Sequence, residues 1–262
     1  MDYFKYYNNF YKSFKGEKGQ IGKTYKGKEI YYFAVKKTDF PKIIVQYSIH
    51  AREYITTYLC YRQIEDFIKL GKRGTVYFIP CTNLDGVEIC LTNKPLYKAN
   101  ARGVDLNVNF DANWGQGSQN VKVKGDSNFI GPFAFSEKET IALRDFTLKI
   151  SPHATISYHS KGEEIYYQFF QNEKDEKRDY KLAKQIAKIT GYKVKLTPNS
   201  AGGYKDWCIQ KLHIPSFTIE VGKDSLSHPI KKKHLKDIYK KNKSVIILLS
   251  EILWKKSIWK LP

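Results

Sequence analysis

Six short runs rich in β-branched and aromatic residues constrain this chain more than any other feature. They are Glu29–Lys36, Lys42–Ser48, Thr75–Pro80, Ala154–Tyr158, Tyr192–Leu196 and Phe217–Val221. Several show little polar alternation. A strand with one wet face alternates polar and apolar side chains, so a run without alternation reads as a strand buried on both faces. Such a sheet needs helices on both sides. Helical patterns do lie between the runs, over Glu53–Leu70, Ser136–Ile150, Asp175–Thr190 and Leu235–Lys256. The first spaces Tyr54, Tyr58, Cys60, Tyr61 and Ile64 on one side and stops at Gly71, the third stops at Gly191, and Ser136 and Glu139 stand at capping-box spacing. The reading is α/β: a three-layer α/β/α arrangement with a mixed, mostly parallel sheet. No internal repeat, low-complexity tract or Pro/Ser linker interrupts it, so residues 1–262 are expected to form a single domain.

Composition excludes several classes. A 42% hydrophobic and 15% aromatic content rules out global disorder. The net charge of +19 predicts attraction to anionic partners. Residues 229–262 hold ten lysines against Asp237 and Glu251, which reads as a solvated basic helix face. No zinc finger, Gly-rich phosphate loop or basic-aromatic motif is present, so nucleic acid is not an expected partner. Cys60, Cys81, Cys90 and Cys208 form no CxxC pair and are expected to be buried free thiols. No apolar stretch has the length of a membrane span, and the first residues do not read as a secretory signal, so a cytoplasmic location is expected.

Ligands of open α/β sheets bind beyond the strand ends. Beyond these ends lie chemically informative residues. KIIVQYSI runs into His50-Ala51-Arg52-Glu53, ATISY into His159-Ser160, and SFTI into Glu220. Two imidazoles and one carboxylate leave an open position on a bound zinc, the composition of a catalytic site. A lone HxxE is weak; one that follows a buried strand, with a second strand–His further on, is more specific. His153, His213, His228 and His234 have no carboxylate at ligand spacing and read as structural or surface residues. The segment from Leu91 to Phe135 has weak periodicity and many Asn and Gly, the character of a functional loop.

Motifs follow one another in the order found in the zinc carboxypeptidase family, which the sequence therefore resembles. They are His50-Ala51-Arg52-Glu53, Asn83-Leu84-Asp85-Gly86, Gly103-Val104-Asp105-Leu106-Asn107, Ser157-Tyr158-His159-Ser160 and Phe217-Thr218-Ile219-Glu220. Gly202-Gly203-Tyr204-Lys205-Asp206-Trp207 resembles that family's pocket-forming turn and helix. The resemblance implies one zinc held by His50, Glu53 and His159, with Glu220 as general base and then general acid. It implies Arg52 and Asn107 as substrate contacts, and it places Lys98 where the family usually carries an arginine that polarises the scissile carbonyl. A lysine is a point donor rather than a fork, so that role is altered.

One departure bears on specificity. The family's Asn-Arg-Asn stretch reads Asn107-Val108-Asn109 here, so the arginine that clamps a free C-terminal carboxylate is missing. Lys205, at the position lining the family's side-chain pocket, or Lys161 is a candidate replacement cation; the plain alternative is that Lys205 is a solvated helix residue. The stretches His159-Ser160-Lys161-Gly162-Glu163-Glu164-Ile165-Tyr166-Tyr167 and Tyr97-Lys98-Ala99-Asn100-Ala101-Arg102-Gly103 resemble the bacterial γ-D-glutamyl-diaminopimelate peptidases. The expected function is a zinc metallopeptidase, acting as a monomer on acidic peptidoglycan stem peptides. The alternatives are a general metallocarboxypeptidase and a catalytically impaired cell-wall-binding module.

Overall fold

The structure, a computed structural model, describes residues 2–258. Helix α1 (Tyr3–Ser13) starts at Asp2, whose carboxylate accepts the Phe4 N–H. Then come β1 (Glu17–Lys23), β2 (Glu29–Lys36), β3 (Lys42–Tyr47), α2 (Ile55–Leu70), β4 (Thr75–Ile79) and α3 (Leu84–Thr92). They are followed by α4 (Lys138–Ile150), β5 (Ala154–His159), β6 (Glu164–Tyr166), α5 (Glu173–Thr190) and β7 (Lys193–Lys195). The chain continues with α6 (Tyr204–Leu212), β8 (Ser216–Glu220), α7 (Leu235–Asn242) and α8 (Val245–Ile258).

The strands form one sheet in the order β1-β2-β4-β3-β5-β8-β6-β7. Its centre, β4-β3-β5-β8, is parallel, and antiparallel strands flank it, so the sheet is mixed as expected. Every residue of β5 is buried, and β3 is buried apart from Lys42, which is why these runs lack alternation. Both faces are covered. Tyr31 of β2 stacks on Tyr11 of α1, and Phe33 meets Phe10 of α1 and Tyr61 of α2. Tyr32, pointing the other way, packs on Phe146 of α4. Helix α6 sits on that second side, where Tyr204 and Thr147 of α4 share a 2.9 Å hydrogen bond.

Several elements differ from the sequence expectation. Strand β1 carries one aliphatic side chain, Ile21, and gave no signal; it survives as an edge strand antiparallel to β2, with a bulge at Gln20/Gly22. A Cβ on Gly22 would stand 2.6 Å from the Cβ of Ala142, so glycine is what lets α4 approach β1. The expected helix Leu235–Lys256 is two helices. The Asn242 carbonyl, which would continue the ladder, instead accepts a 2.9 Å bond from Gln63 Nε2, and the Asn242 amide donates to Tyr192 Oη at 2.8 Å. The Ser136–Glu139 capping box does not form. The helix begins at Lys138, Ser136 Oγ donates to Glu137, and Glu139 accepts the distant Tyr25 N–H. All four cysteines are buried free thiols. No described helix is long and apolar enough to cross a membrane.

Candidate active site

Parallel pairing brings the functional strand ends together. Tyr47 of β3 lies opposite Tyr158 of β5, and His159 lies opposite Glu220 of β8. Past β3 the chain turns sharply through Ser48, whose φ of 48° is in the left-handed region. The strain is held by side chains: Ser48 Oγ lies 2.9 Å from Thr56 Oγ1 and 2.8 Å from Thr57 Oγ1, tying the strand end to the first turn of α2. His50 follows, and a 3₁₀ turn over Ala51–Glu53 aims Glu53 back at it.

His50 Nδ1, His159 Nδ1 and the Glu53 carboxylate converge. His50 Nδ1 is 2.9 Å from Glu53 Oε1, His159 Nδ1 is 3.0 Å from Glu53 Oε2, and the two Nδ1 atoms are 3.1 Å apart. Two imidazole nitrogens this close cannot both carry a proton, so at least one points a lone pair at its neighbour. Each ring's other nitrogen is engaged elsewhere. His159 Nε2 is 2.9 Å from Ser157 Oγ, and His50 Nε2 lies 3.2 Å from Asp105 Oδ1, short of full hydrogen-bond alignment. Orienting contacts on Nε2 free Nδ1 for a metal, and all three side chains are buried. This donor set fits zinc.

Charges around the triad are arranged to hold cations. Burial pushes the Glu53 carboxyl up, but the two imidazoles reverse this and hold it well below the usual carboxylate range. Asp105 behaves likewise, with Lys98 and His50 overcoming its desolvation; Lys98 Nζ lies 2.7 Å from Asp105 Oδ2 and 3.1 Å from Asn128 Oδ1. Glu220 goes the other way. Burial and the charge of Glu53 push it up to about 8, against the pull of His159 and Lys98, and its Oε2 is buried without a hydrogen-bond partner. Such a carboxyl readily accepts and keeps a proton.

A cleft of about 480 Å³ opens from His50 and Lys98 past Asn107, Val108 and Tyr166 to the segment 197–201. A smaller pocket of about 160 Å³ shares Asn107, Tyr166, Thr197 and Ser200 with it and is also lined by Lys205, Asp206 and Glu220. The turn before α6 shapes both. Asn107 Oδ1 accepts the Tyr204 N–H at 3.1 Å, and Gly202, at φ 84°, sits so close that a Cβ would stand 2.7 Å from the Val108 carbonyl oxygen.

The structure thus brings His50, Glu53, His159, Lys98, Asn107 and Glu220 together. Lys205 is not a solvated helix residue. It is 5% exposed, with Nζ 2.5 Å from Asp206 Oδ1 and 2.9 Å from the Gln168 carbonyl. Lys161 lines neither the cleft nor the pocket, and its ammonium is 2.7 Å from Asp224 Oδ1. Neither is therefore a free cation waiting for a carboxylate. Asp105 carried no assigned role in the sequence, although it stands in the Gly103–Asn107 motif. Ser157, Asn128 and Tyr166 also gave no role signal; Ser157 and Tyr166 partner residues two positions away, His159 and Glu164, and Asn128 partners the distant Lys98. His228, set aside as incidental, has its Nδ1 buried without a partner, and burial pushes its pKa down to about 4.

Buried His–Glu–His ligands at parallel strand ends, with an orphaned carboxylate beside them, define a metallohydrolase. The zinc carboxypeptidase family model matches residues 11–244, and the chain belongs to that family of metallopeptidases. Over 219 residues it is 27% identical to gamma-D-glutamyl-L-diamino acid endopeptidase 1 of Lysinibacillus sphaericus, covering 70% of this chain and 55% of that protein. Human carboxypeptidase B is 29% identical over 238 residues, covering 77% and 56%. The chain thus spans little more than half the length of these two relatives. Bovine thrombin-activatable fibrinolysis inhibitor superposes with a TM-score of 0.85 at 19% identity, covering 98% of both chains. The murein-tripeptide amidase of Escherichia coli O157 gives 0.65 at 20% identity, covering 90% of this chain and 93% of that one.

Proposed function

We propose that this protein is a one-zinc metallopeptidase that hydrolyses the γ-D-glutamyl–meso-diaminopimelate bond of peptidoglycan stem peptides. The observation that carries the reading is the cleft at Val108. Among the described residues lining it, Lys98 is the one lysine or arginine, and that ammonium is held by Asp105. A substrate carboxylate desolvated beside Val108 without a partner costs roughly several kcal/mol. The Lysinibacillus relative, a gamma-D-glutamyl-L-diamino acid endopeptidase, and the Escherichia coli neighbour, a murein-tripeptide amidase, support the same reading.

His50, Glu53 and His159 hold the metal, with Asp105 and Ser157 fixing the two rings. Zinc, when bound, supplies Lewis acidity toward the scissile carbonyl and toward water. Glu220 takes the proton from the attacking water and returns it to the leaving nitrogen, a task suited to a carboxyl whose surroundings favour its protonated form. Lys98 sits beside His50 and offers its ammonium to the carbonyl oxygen as negative charge develops there, while Asp105 anchors the side chain. Asn107 and Lys205 contact the leaving side of the substrate, Lys205 sharing its charge with Asp206. Arg52 contacts the acyl side.

The test compares an L-alanyl-γ-D-glutamyl-diaminopimelyl-D-alanine tetrapeptide, in which the α-carboxyl of the leaving residue is tied up in an amide, with a simple α-linked peptide bearing a free C-terminus, using zinc-loaded protein and mass spectrometry. Cleavage of the stem and little of the simple peptide is expected. Val108→Arg should shift preference toward the simple peptide by restoring a fork for its carboxylate. Wild-type hydrolysis of the simple peptide as fast as the stem makes the protein a general metallocarboxypeptidase. Binding of the stem without turnover makes it a binding module.

A further inference from the structure

Three of the four cations assigned to this site already hold a carboxylate. Lys98 pairs with Asp105 at 2.7 Å, Lys161 with Asp224 at 2.7 Å and Lys205 with Asp206 at 2.5 Å. Arg52 holds none among the described residues. One of its guanidinium nitrogens makes a long 3.5 Å contact to the Leu96 carbonyl, and its Nε is buried with no partner. A desolvated guanidinium edge without an acceptor costs free energy unless a ligand supplies one.

His228 is the second such group, its Nδ1 buried with no partner. Burial pushes its pKa down to about 4, with Arg52, Lys161 and His50 adding and Glu53 opposing. An imidazole kept neutral still has one N–H to donate. His228 stands in a groove of about 560 Å³ that begins at Tyr54, next to Glu53, and runs past Ser227 to Lys231, Lys233 and His234. No aspartate or glutamate lines it, and it shares no lining residue with the Val108 cleft. The groove is thus separate from the Val108 cleft, and its charged lining is Lys231 and Lys233.

We propose that Arg52 and His228 form a carboxylate subsite on the acyl side of the scissile bond, and that it reads the free α-carboxylate of a γ-linked acidic residue. The proposal rests on the γ-glutamyl reading above. In an α-linked peptide the acyl side continues as a neutral amide. In a γ-linked glutamyl residue the side-chain carbonyl is the one attacked, so the α-carboxylate stays free, two methylenes and the α-carbon away. A planar guanidinium with an adjacent N–H donor matches that charge and shape. Lys231 and Lys233 extend the positive lining toward the rest of the acyl chain.

The test compares two stem tetrapeptides that differ in one group: the D-glutamyl α-carboxylate is free in one and amidated in the other. A charge-assisted contact predicts wild-type kcat/KM at least about tenfold higher on the acid than on the amide. The ratio should approach one in Arg52→Gln and fall partway in His228→Ala. Because both substrates meet the same enzyme, the ratio is insensitive to general loss of activity. Inhibition by L-alanyl-D-isoglutamate against its amide gives the same comparison for a variant too slow to assay. Equal wild-type turnover of acid and amide overturns the subsite and leaves the γ-glutamyl reading intact. Hydrolysis of neither stem overturns both. An undiminished ratio in Arg52→Gln removes Arg52 from the subsite.

Discussion

At the scale of single residues, the proposed mechanism gives metal binding to His159 and proton transfer to Glu220. They lie opposite each other on neighbouring strands, yet their surroundings differ. His159 Nδ1 meets both other members of the triad, so His159→Ala removes one of the three proposed ligands and zinc should fall with activity. Full zinc occupancy in that variant, by elemental analysis, takes His159 out of the site. Glu220→Gln keeps the shape and loses the proton affinity. Zinc should stay, and turnover should drop by about 10² or more. Near-normal turnover assigns the proton to another group. These two residues and their partners were legible because the chemistry is written at strand ends, where an apolar run stops at His or Glu. What orients them was not. Ser157 shares a strand face with His159 but a serine alone marks no role, and Asp105 reaches His50 from a distant loop. The burial of Lys205 was hidden for a similar reason: its partner Asp206 is adjacent in sequence, but only the packed turn before α6 removes both from water.

Among elements, the strands that show both faces to the interior were the readable ones, since burial on two sides leaves an unalternated run. The edge strand β1 was not, because it owes its place to pairing with β2 and to a glycine under α4, while the opposite edge β7 falls inside the expected run Tyr192–Leu196. The turn between β1 and β2 is instead held by carboxylates from two helix starts. Asp85, in the first turn of α3, accepts the Lys26 N–H at 2.8 Å, and Glu139, in the first turn of α4, accepts the Tyr25 N–H at 3.1 Å. Glu139 is fully buried, and desolvation, with Glu137 and Asp85 adding, raises it to about 7 despite that backbone bond. Its folded pKa therefore exceeds its unfolded value. Between those values the folded state binds more protons than the unfolded one, so stability falls as pH rises through the window. Glu139→Gln removes this titration while its amide oxygen can still accept from Tyr25. Between pH 5 and 7.5 the wild type should lose about 2 kcal/mol more stability than the variant. Urea unfolding at both pH values measures the difference, and parallel loss in the two proteins rules Glu139 out as its source.

For the whole molecule, the charge surplus of +19 is a statement about encounter rather than fold. The surplus is not spread evenly around the triad. Lys98, Lys161 and Lys205 are neutralised locally, and Lys241 pairs with Glu163, whereas Lys231 and Lys233 line the open acyl-side groove. Part of the basic segment 229–262 thus lines the groove that holds His228 instead of serving only as a solvated helix face. A groove of one sign, bounded by low-dielectric protein, focuses its field outward and raises the local concentration of an oppositely charged substrate. The Debye length shrinks from about 10 Å at 0.1 M salt to about 3 Å at 1 M, so that steering is lost as salt rises. For an acidic stem peptide, kcat/KM should fall several-fold between about 0.05 M and 0.5 M sodium chloride, chiefly through KM. A peptide substrate of zero net charge should change little over the same range. Replacing Lys231 and Lys233 together by Gln should flatten the slope for the acidic substrate and leave kcat at saturating concentration near the wild-type value, since neither residue lines the cleft or the small pocket beside Glu220. Equal salt slopes for the acidic and neutral substrates, or an unchanged slope in the double variant, show that the groove does not guide substrate to the zinc site.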